Sequence, residues 1–512
     1  MSDANRQARR TPGWSTARHA AWALGLFNGL VLAGCSVLAP PATVSAETPP
    51  QWYAALPADA AGDTRAEEAK AVTARADSLP HQGSLQQLSQ WWQQLNDPLL
   101  VELIEAAQAV NPTVITARSN LEQARAARSA SESALLPKLD AAANLSRSLS
   151  GPINRTIVTP VTTLGQVGLQ TSWELDLFGP NRANLQANRE RLLGSQALWH
   201  EARVSVAAEV ANQYYSARSC DKQLRVQRAD SVSRAETARL TELLTRAGFG
   251  SAATAALALA SASEGNSRLT QQAALCEVDL KAMVALTAVA EPVLRQRFAQ
   301  SQSPPRMVIS DIPRVPADVL SQRPDIYNAA RTLAAASFEV GSARAQRYPR
   351  LHLTGNIFSN TTRARGLTQS FESWSIGPLA LTVPLLDGRA SQANVESAIA
   401  RYEEAAGKYR SAVRQAVREV EESLVNLQSS TSRQSDMVAA AEGYRRAFAG
   451  TEARYQAGLA SLVELEEARR TLLAAQVAVL SLERERQSAW IALYRALGGG
   501  WSESATAVPS HP

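Results

Sequence analysis

The feature that most constrains the fold of this 512-residue chain is an internal duplication. Asn111-Pro112 is followed 25 residues later by Pro137, and Arg323-Pro324 is followed 25 residues later by Pro349. Gly179 lies 69 residues before Gly248, Gly388 lies 70 residues before Gly458, and Ser251 and Ser461 each stand three residues past the later glycine. One unit of about 210 residues therefore occurs twice, and such a period predicts two similar supersecondary assemblies rather than unrelated domains. The Pro-rich stretch from Pro292 to Pro316 joins the copies.

Each copy ends in a region that reads as helix over an unusual length. No proline occurs from Asn181 to Glu291 or from Leu385 to Val508, which removes the strongest helix breaker. Val413, Val417, Val420, Leu424 and Leu427 alternate steps of four and three, and Leu462, Leu465, Ala468, Leu472, Ala475, Val479 and Leu482 nearly do so. Such spacing draws an apolar seam that another helix must cover. At ~1.5 Å per residue the stretch from Arg182 to Ala247 would reach roughly 100 Å, wider than a compact domain. Gly248 and Gly458 are natural turning points, so each copy is predicted to fold as a very long antiparallel helical hairpin.

Before each hairpin the period changes to two. Val167, Leu169, Thr171, Trp173, Leu175 and Leu177 alternate with Gly168, Gln170, Ser172, Glu174 and Asp176. Leu139, Ala141, Ala143 and Leu145 alternate with Asp140, Ala142, Asn144 and Ser146. Leu351, Leu353, Gly355 and Ile357 alternate with His352, Thr354 and Asn356, and a fourth run holds Leu379, Leu381, Val383 and Leu385. Each run alone fits a half-buried strand of a soluble sheet as well as a membrane strand. Their arrangement favours the membrane: two pairs, each joined by a polar loop (147–163 and 359–373), each set between long helical segments. Four strands leave two open edges, which hydrocarbon does not tolerate, so several chains must pool their strands.

The N-terminus reads as an export signal. Arg6, Arg9, Arg10 and Arg18 precede an apolar run from Ala20 to Leu32 that ends in Leu32-Ala33-Gly34-Cys35. That ending resembles a bacterial lipobox, and the run is too short for the ~20 residues of a membrane helix. The mature chain is then expected to begin at Cys35, its thiol carrying diacylglycerol and its amine a third acyl chain. Of 52 basic and 47 acidic residues the signal removes four arginines and Asp3, leaving 48 and 46, a net charge of +2. So small a charge leaves no nucleic-acid footprint. No later segment offers 18 consecutive apolar residues, so any crossing after Cys35 falls to strands.

The expected organisation is a signal peptide (1–34), an acylated N-terminus and Pro-rich tether (35–85), a first repeat (86–291, strands about 138–178 and hairpin about 181–290), a connector (292–316), a second repeat (317–497, strands about 350–386 and hairpin about 389–497) and a flexible tail (498–512).

Asn111-Pro112-Thr113-Val114, the segment from Ser172 to Pro180, Arg323-Pro324-Asp325-Ile326, Ala343-Arg344-Ala345 with Tyr348-Pro349, and Arg454-Tyr455 with Gly458 and Ser461 recur in order across about residues 90–500. Together they resemble the TolC-like outer-membrane efflux protein family, and the lipobox resembles its lipoprotein branch serving resistance-nodulation-division pumps. The resemblance implies a mainly α fold with a small β part: a trimer of long helical hairpins forming an α-barrel, continued by a shared 12-stranded transmembrane β-barrel with four strands from each protomer. It implies outer-membrane location, since Ser36 is not the aspartate that retains lipoproteins at the inner membrane. It also implies a helical tunnel reaching into the periplasm, and docking of a periplasmic adaptor and an inner-membrane pump.

Family members close the periplasmic end with inward acidic side chains beside the second hairpin's turn, and the matching positions here are Glu464 and Glu467, with Tyr455 in the same closure network. Carboxylates at i and i+3 share a helix face, and threefold repetition would make charged rings of the kind that confer cation selectivity. The competing reading is a solvated coiled-coil face. Ala460 and Thr254 depart from the family pattern, standing where some members place a gating arginine and an aspartate. Gly248, Gly458, Ser251 and Ser461 mark the turns, the expected docking points for an adaptor.

Cys220 and Cys276 each lie 28 residues from Gly248, so an antiparallel hairpin turning there brings them side by side. An exported location is oxidising, and the spacing predicts a disulfide over the alternative of two buried thiols. An enzyme is disfavoured: His81, His200, His352 and His511 are scattered without metal-ligand spacing, and no metal or soluble cofactor is expected. The run Gly248-Phe249-Gly250 does not follow a strand, as a dinucleotide loop must. A lipid-anchored coiled-coil scaffold would explain the seams and Cys35 but not the paired strands.

Overall fold

A computed structural model describes residues 39–49, 52–54, 92, 97–149, 161–301, 320 and 323–500. Cys35 and the signal before it, most of the expected tether, residues 150–160, the connector from 302 to 316 and the residues from 501 lie outside the described residues. The described residues fall into two compact units: 39–42, 127–189 and 334–403 in one, and 43–126, 190–333 and 404–500 in the other. In chain order the elements are α1 (Pro98–Val110), α2 (Pro112–Ser133), β1 (Lys138–Leu149), β2 (Val161–Leu175), α3 (Pro180–Arg246), α4 (Ala252–Thr287), α5 (Glu291–Gln300), α6 (Pro324–Ala345), β3 (Arg350–Ala364), β4 (Leu367–Thr382), α7 (Ala390–Gln456) and α8 (Leu462–Ala496). The duplication is visible as α2-β1-β2-α3-α4 followed by α6-β3-β4-α7-α8.

Proline opens α1, α2, α3 and α6, where its missing N–H costs nothing and its fixed φ suits the first turn. Acidic side chains satisfy neighbouring orphan donors. Asp176 accepts from the backbone N–H groups of Asn181 and Arg182, each at 3.0 Å, and Asp387 from those of Arg389 and Ser391 at 3.1 and 3.0 Å. No described helix is long and apolar enough to cross a membrane.

The first unit carries a four-stranded antiparallel sheet in the order β1-β2-β3-β4. Register sorts its faces. Ala141 lies opposite Leu169, Leu169 opposite Ile357 and Ile357 opposite Trp374; four residues nearer the β3 start, Trp173, Leu353 and Leu379 align. Leu139, Leu145, Val167, Leu169, Ile357, Trp374, Ile376, Leu379 and Leu381 are all exposed on this apolar face. The other face is polar and internally bonded: Gln166 donates to Asn360 at 2.8 Å, and Asn360, buried, donates to Ser373 at 2.8 Å. The apolar band crosses the sheet obliquely, since Leu139 on β1 is level with Thr171, Gly355 and Ile376 rather than with the Leu351 that starts the band on β3. Tilted barrel strands produce that slant.

The second unit holds the main core. Tyr214 and Tyr215 of α3, Val420, Leu424 and Leu427 of α7 and Trp490, Ile491 and Leu493 of α8 are buried together with Leu100 and Leu103 of α1. Arg323, also buried, binds Asp325, Glu419 at 2.8 Å and the carbonyl of Ala496 at 2.8 Å, which ties the start of α6 to α7 and to the last turn of α8.

Several sequence expectations change. The polar stretch 359–373 is not a loop: β3 and β4 run through it and turn at Arg365-Gly366, whose φ angles are 49° and 82°. Its polar residues extend the strands past the apolar band. The connector 292–316 begins inside α5, because Pro292 stands in the first turn, where proline starts a helix instead of ending one. The seam on α8 runs through Leu462, Leu465, Arg469 and Leu473; Ala468 and Leu472 are displaced from it. The tether is strapped down where described: Ser337 and Tyr402 donate to the carbonyls of Pro40 and Pro41, and in the other unit the N–H groups of Tyr53 and Ala54 donate to Glu421 at 2.8 and 2.7 Å. The tail's first residues, Gly498–Gly500, form a 3₁₀ turn rather than a flexible end.

Candidate functional site at the hairpin tips

The two hairpin turns are built alike from like sequence. At the end of α3 the N–H groups of Gly248 and Phe249 donate to Thr245 and Leu244; at the end of α7 those of Gly458 and Leu459 donate to Tyr455 and Arg454. This closure needs a left-handed residue, and Gly248 (φ 82°) and Gly458 (φ 72°) supply it. Each following helix is then capped by a serine: Ser251 accepts from the N–H of Thr254 at 3.0 Å, Ser461 from that of Glu464 at 3.2 Å. Between cap and closure, Phe249 and Leu459 are left exposed at the two tips.

The three gate candidates fall close together but in different roles. Glu464 reaches back to the cap of α8, its carboxylate accepting from Ser461 Oγ at 3.2 Å with Arg454 at 3.6 Å. Glu467 is exposed and paired with Arg470. Both carboxylates therefore have a basic neighbour in their own protomer. Tyr455 lies in a small apolar cluster with Ala238, Ala258, Phe448, Leu462 and Leu465, its hydroxyl 3.2 Å from Thr241 Oγ1 of α3. It ties the second hairpin to the first. Thr254, where the family pattern has an acid in some members, serves the cap of α4 with its hydroxyl 2.8 Å from Ser251 Oγ.

Beside this cluster is a constellation that the sequence reading missed. Arg234 of α3 and Arg469 of α8 are only 3% and 4% exposed. Arg234 donates to Asp230 at 2.9 Å, to Ser261 at 2.6 Å and to Glu466 at 2.7 Å. Arg469 donates to the other oxygen of Glu466 and to Ser233 and Thr237, each at 3.1 Å. Two arginines and two carboxylates thus compensate one another in a desolvated site, where an unpaired charge would be expensive. A Cβ at Gly265 of α4 would stand 2.7 Å from Arg234 Cδ, so that glycine makes room for the guanidinium. Arg469 on an otherwise apolar stripe was the one trace of the cluster in the sequence.

Farther up the first hairpin, Cys220 of α3 and Cys276 of α4 are joined as a disulfide with Cα atoms 5.5 Å apart. Closing a loop of 56 residues removes unfolded-state entropy worth about 4 kcal/mol. Among the described residues no group of three or more His, Cys, Asp or Glu side chains is placed to hold a metal.

The profile of a family described as "Outer membrane efflux protein" matches residues 103–287 and again 315–499, one match for each repeat. The chain is 28% identical to the solvent efflux pump outer membrane protein SrpC of Pseudomonas putida over 94% of its own length and 98% of that protein's. It is 30% identical to the pyoverdine export outer membrane protein OpmQ of Pseudomonas aeruginosa over 81% of its length and 88% of that protein's. Among solved structures it resembles the outer membrane protein VceC of Vibrio cholerae with a TM-score of 0.72 and 26% identity, covering 81% of this chain and 99% of that one. Twin hairpins, paired strands with an apolar outer face and a twofold family match agree: the chain belongs to the outer membrane efflux protein family.

Proposed function

We propose that the chain is the outer-membrane channel subunit of a tripartite efflux system, a passive conduit that carries small toxic molecules from an inner-membrane pump across the periplasm and outer membrane. The observation that carries this reading is the four-stranded sheet, apolar on one face, polar on the other, and open at both β1 and β4. With an even number of strands per copy, β1 of one copy meets β4 of the next antiparallel, so copies close a barrel without breaking the alternation. Three copies would give twelve strands. The helical hairpins then form a tunnel reaching into the periplasm, lipid on Cys35 holds the mature N-terminus at the outer membrane, and the tips around Gly248 and Gly458 meet a periplasmic adaptor and, through it, a pump of the resistance-nodulation-division type. Tyr455, Glu464 and Glu467 sit at the closed end.

The cargo follows from the partner rather than from the wall. SrpC and OpmQ, similar to this chain to nearly the same degree, are named for a solvent pump and for pyoverdine export, so this architecture serves unlike compounds. The test is to purify the protein from membranes and insert it into planar bilayers. Heat-modifiable trimers with stepwise ion conductance are expected; folded trimers with no conductance would favour the lipid-anchored scaffold instead.

A further inference from the structure

The duplication supplies a template for the unfinished edges of the sheet. β1 corresponds to β3 and β2 to β4, so the seam between β2 and β3 joins the last strand of one repeat to the first strand of the next. β4 and β1 are the same two kinds of strand, each without a partner on its outer side among the described residues of the protomer. The β2·β3 seam is closed at its foot by an aromatic stack: Phe178, three residues past the end of β2, lies on Tyr348, two residues before β3, with ring centroids 4.9 Å apart and planes at 18°.

The same counts from the end of β4 and the start of β1 lead to Leu385 and Leu136. Leu385 is 90% exposed, Leu136 61%, and Leu386 beside Leu385 is 97% exposed. Each of the two leucines adjoins a proline, Pro384 and Pro137, which restricts the local backbone. Single exposed leucines are ordinary, but two that occupy, by this count, the positions of the observed Phe178–Tyr348 stack, on the two edges that must find partners, are not explained by chance exposure.

We infer that Leu385 of one copy seats against Leu136 of the next, an apolar contact that replaces the Phe178–Tyr348 stack at each junction between copies. The occupant of this surface is a second copy of the same chain, and Leu386 shields the contact from the side. The inference rests on the closed-barrel reading above and adds to it a defined pair of residues.

The experiment uses the full-length protein in outer membranes, carrying L136C and L385C together. A short bifunctional thiol reagent is expected to give covalently joined dimers and trimers on denaturing gels, with none from either single substitution. Amine cross-linking of the same membranes reports assembly independently. Trimers by amine chemistry without thiol-linked species would overturn the contact and leave the barrel standing; monomers by both would overturn the barrel reading and the contact with it. As a second variant, L385E is expected to lower the yield of heat-resistant trimers roughly tenfold and L136K in the same chain to restore most of it. An L385E trimer as resistant as the parent would also overturn the contact.

Discussion

Arg234 donates from Nη1 to Glu466 Oε2 at 2.7 Å, joining α3 of the first repeat to α8 of the second across 232 residues of chain. Glu466 also receives Arg469, so this one carboxylate bridges two guanidinium groups that are almost wholly out of water, with Asp230 as the second acid on Arg234. Replacing Glu466 by alanine leaves both without it, and such a loss costs about 3–5 kcal/mol. Glu467→Ala, one residue along, removes only the exposed partner of Arg470, worth under ~1 kcal/mol. Thermal unfolding of the two variants in detergent, with trypsin cleavage near the tips as a second readout, is expected to separate them clearly. Equal shifts would remove the buried cluster as the link between the hairpins.

Glu464 and Glu467 make a different claim, on ion flow rather than on stability. If they face the lumen, Glu464→Gln and Glu467→Gln are expected to lower cation selectivity in planar-bilayer recordings, since rings of carboxylates favour cations. Arg454 and Arg470 lie beside them, so Arg470→Gln should raise selectivity while the two glutamate variants lower it. Selectivity unchanged in all three would take the acidic pair out of the conduction path.

His200 of α3 gives the protein a pH dependence with a definite sign. Burial first, and then the charge of Arg203, push its imidazole down from 6.5 to about 4. Between those values the unfolded chain binds a proton that the folded chain refuses, so stability falls as pH drops below about 6.5 and stops falling below about 4. Because His200 is only partly buried, solvent screening reduces the effect to on the order of 1–2 kcal/mol. His200→Gln is expected to flatten this part of the stability curve, measured as melting temperature between pH 7 and pH 4. A slope equal to that of the parent protein would place the acid sensitivity elsewhere.

What could be read from the sequence was what rests on local chemistry. The hairpins were legible because α3 and α7 are uninterrupted 67-residue helices that stop at Gly248 and Gly458, and because Val413, Val420, Leu424 and Leu427 keep a regular seam. The strands were legible only where one face meets an apolar phase. From Ser359 onward both faces of β3 are largely polar, so period-two contrast vanishes and a continuing strand reads as a loop. Pro292 misled for the opposite reason: proline marks a break inside a helix and a start in its first turn. The Arg234–Glu466 pair could not be read at all, since each residue stands in a charge-rich stretch and their proximity exists only once two repeats have packed. Cys35 belongs to the other class, a motif whose reading as the lipid site rests on sequence alone.

Gly168 is the most tightly enclosed glycine of the sheet. It lies opposite Phe358 in the β2·β3 seam, and a Cβ placed on it would stand 2.0 Å from the carbonyl oxygen of Ile357, 2.6 Å from Phe358 Cδ1 and 2.7 Å from Phe358 Cα. Two of those three atoms are backbone, so rotating a side chain does not relieve the overlap; β2 and β3 must part. That seam is what joins the two repeats within the sheet, and Gln166, Asn360 and Ser373 are bonded across it and onward to β4. Gly168→Ala is therefore expected to abolish heat-resistant trimers and bilayer conductance while the far-ultraviolet helical signal of the hairpins persists. Gly165, three residues earlier on the same strand, is the control: a Cβ there would meet Leu145 at 3.7 Å and the carbonyl of Thr361 at 3.9 Å, ordinary contacts, and Gly165→Ala should assemble and conduct as the parent does. Adding Phe358→Ala to Gly168→Ala removes only the ring contact. The double variant should remain unassembled, and recovery of trimers in it would show that the ring, not the backbone, sets the limit.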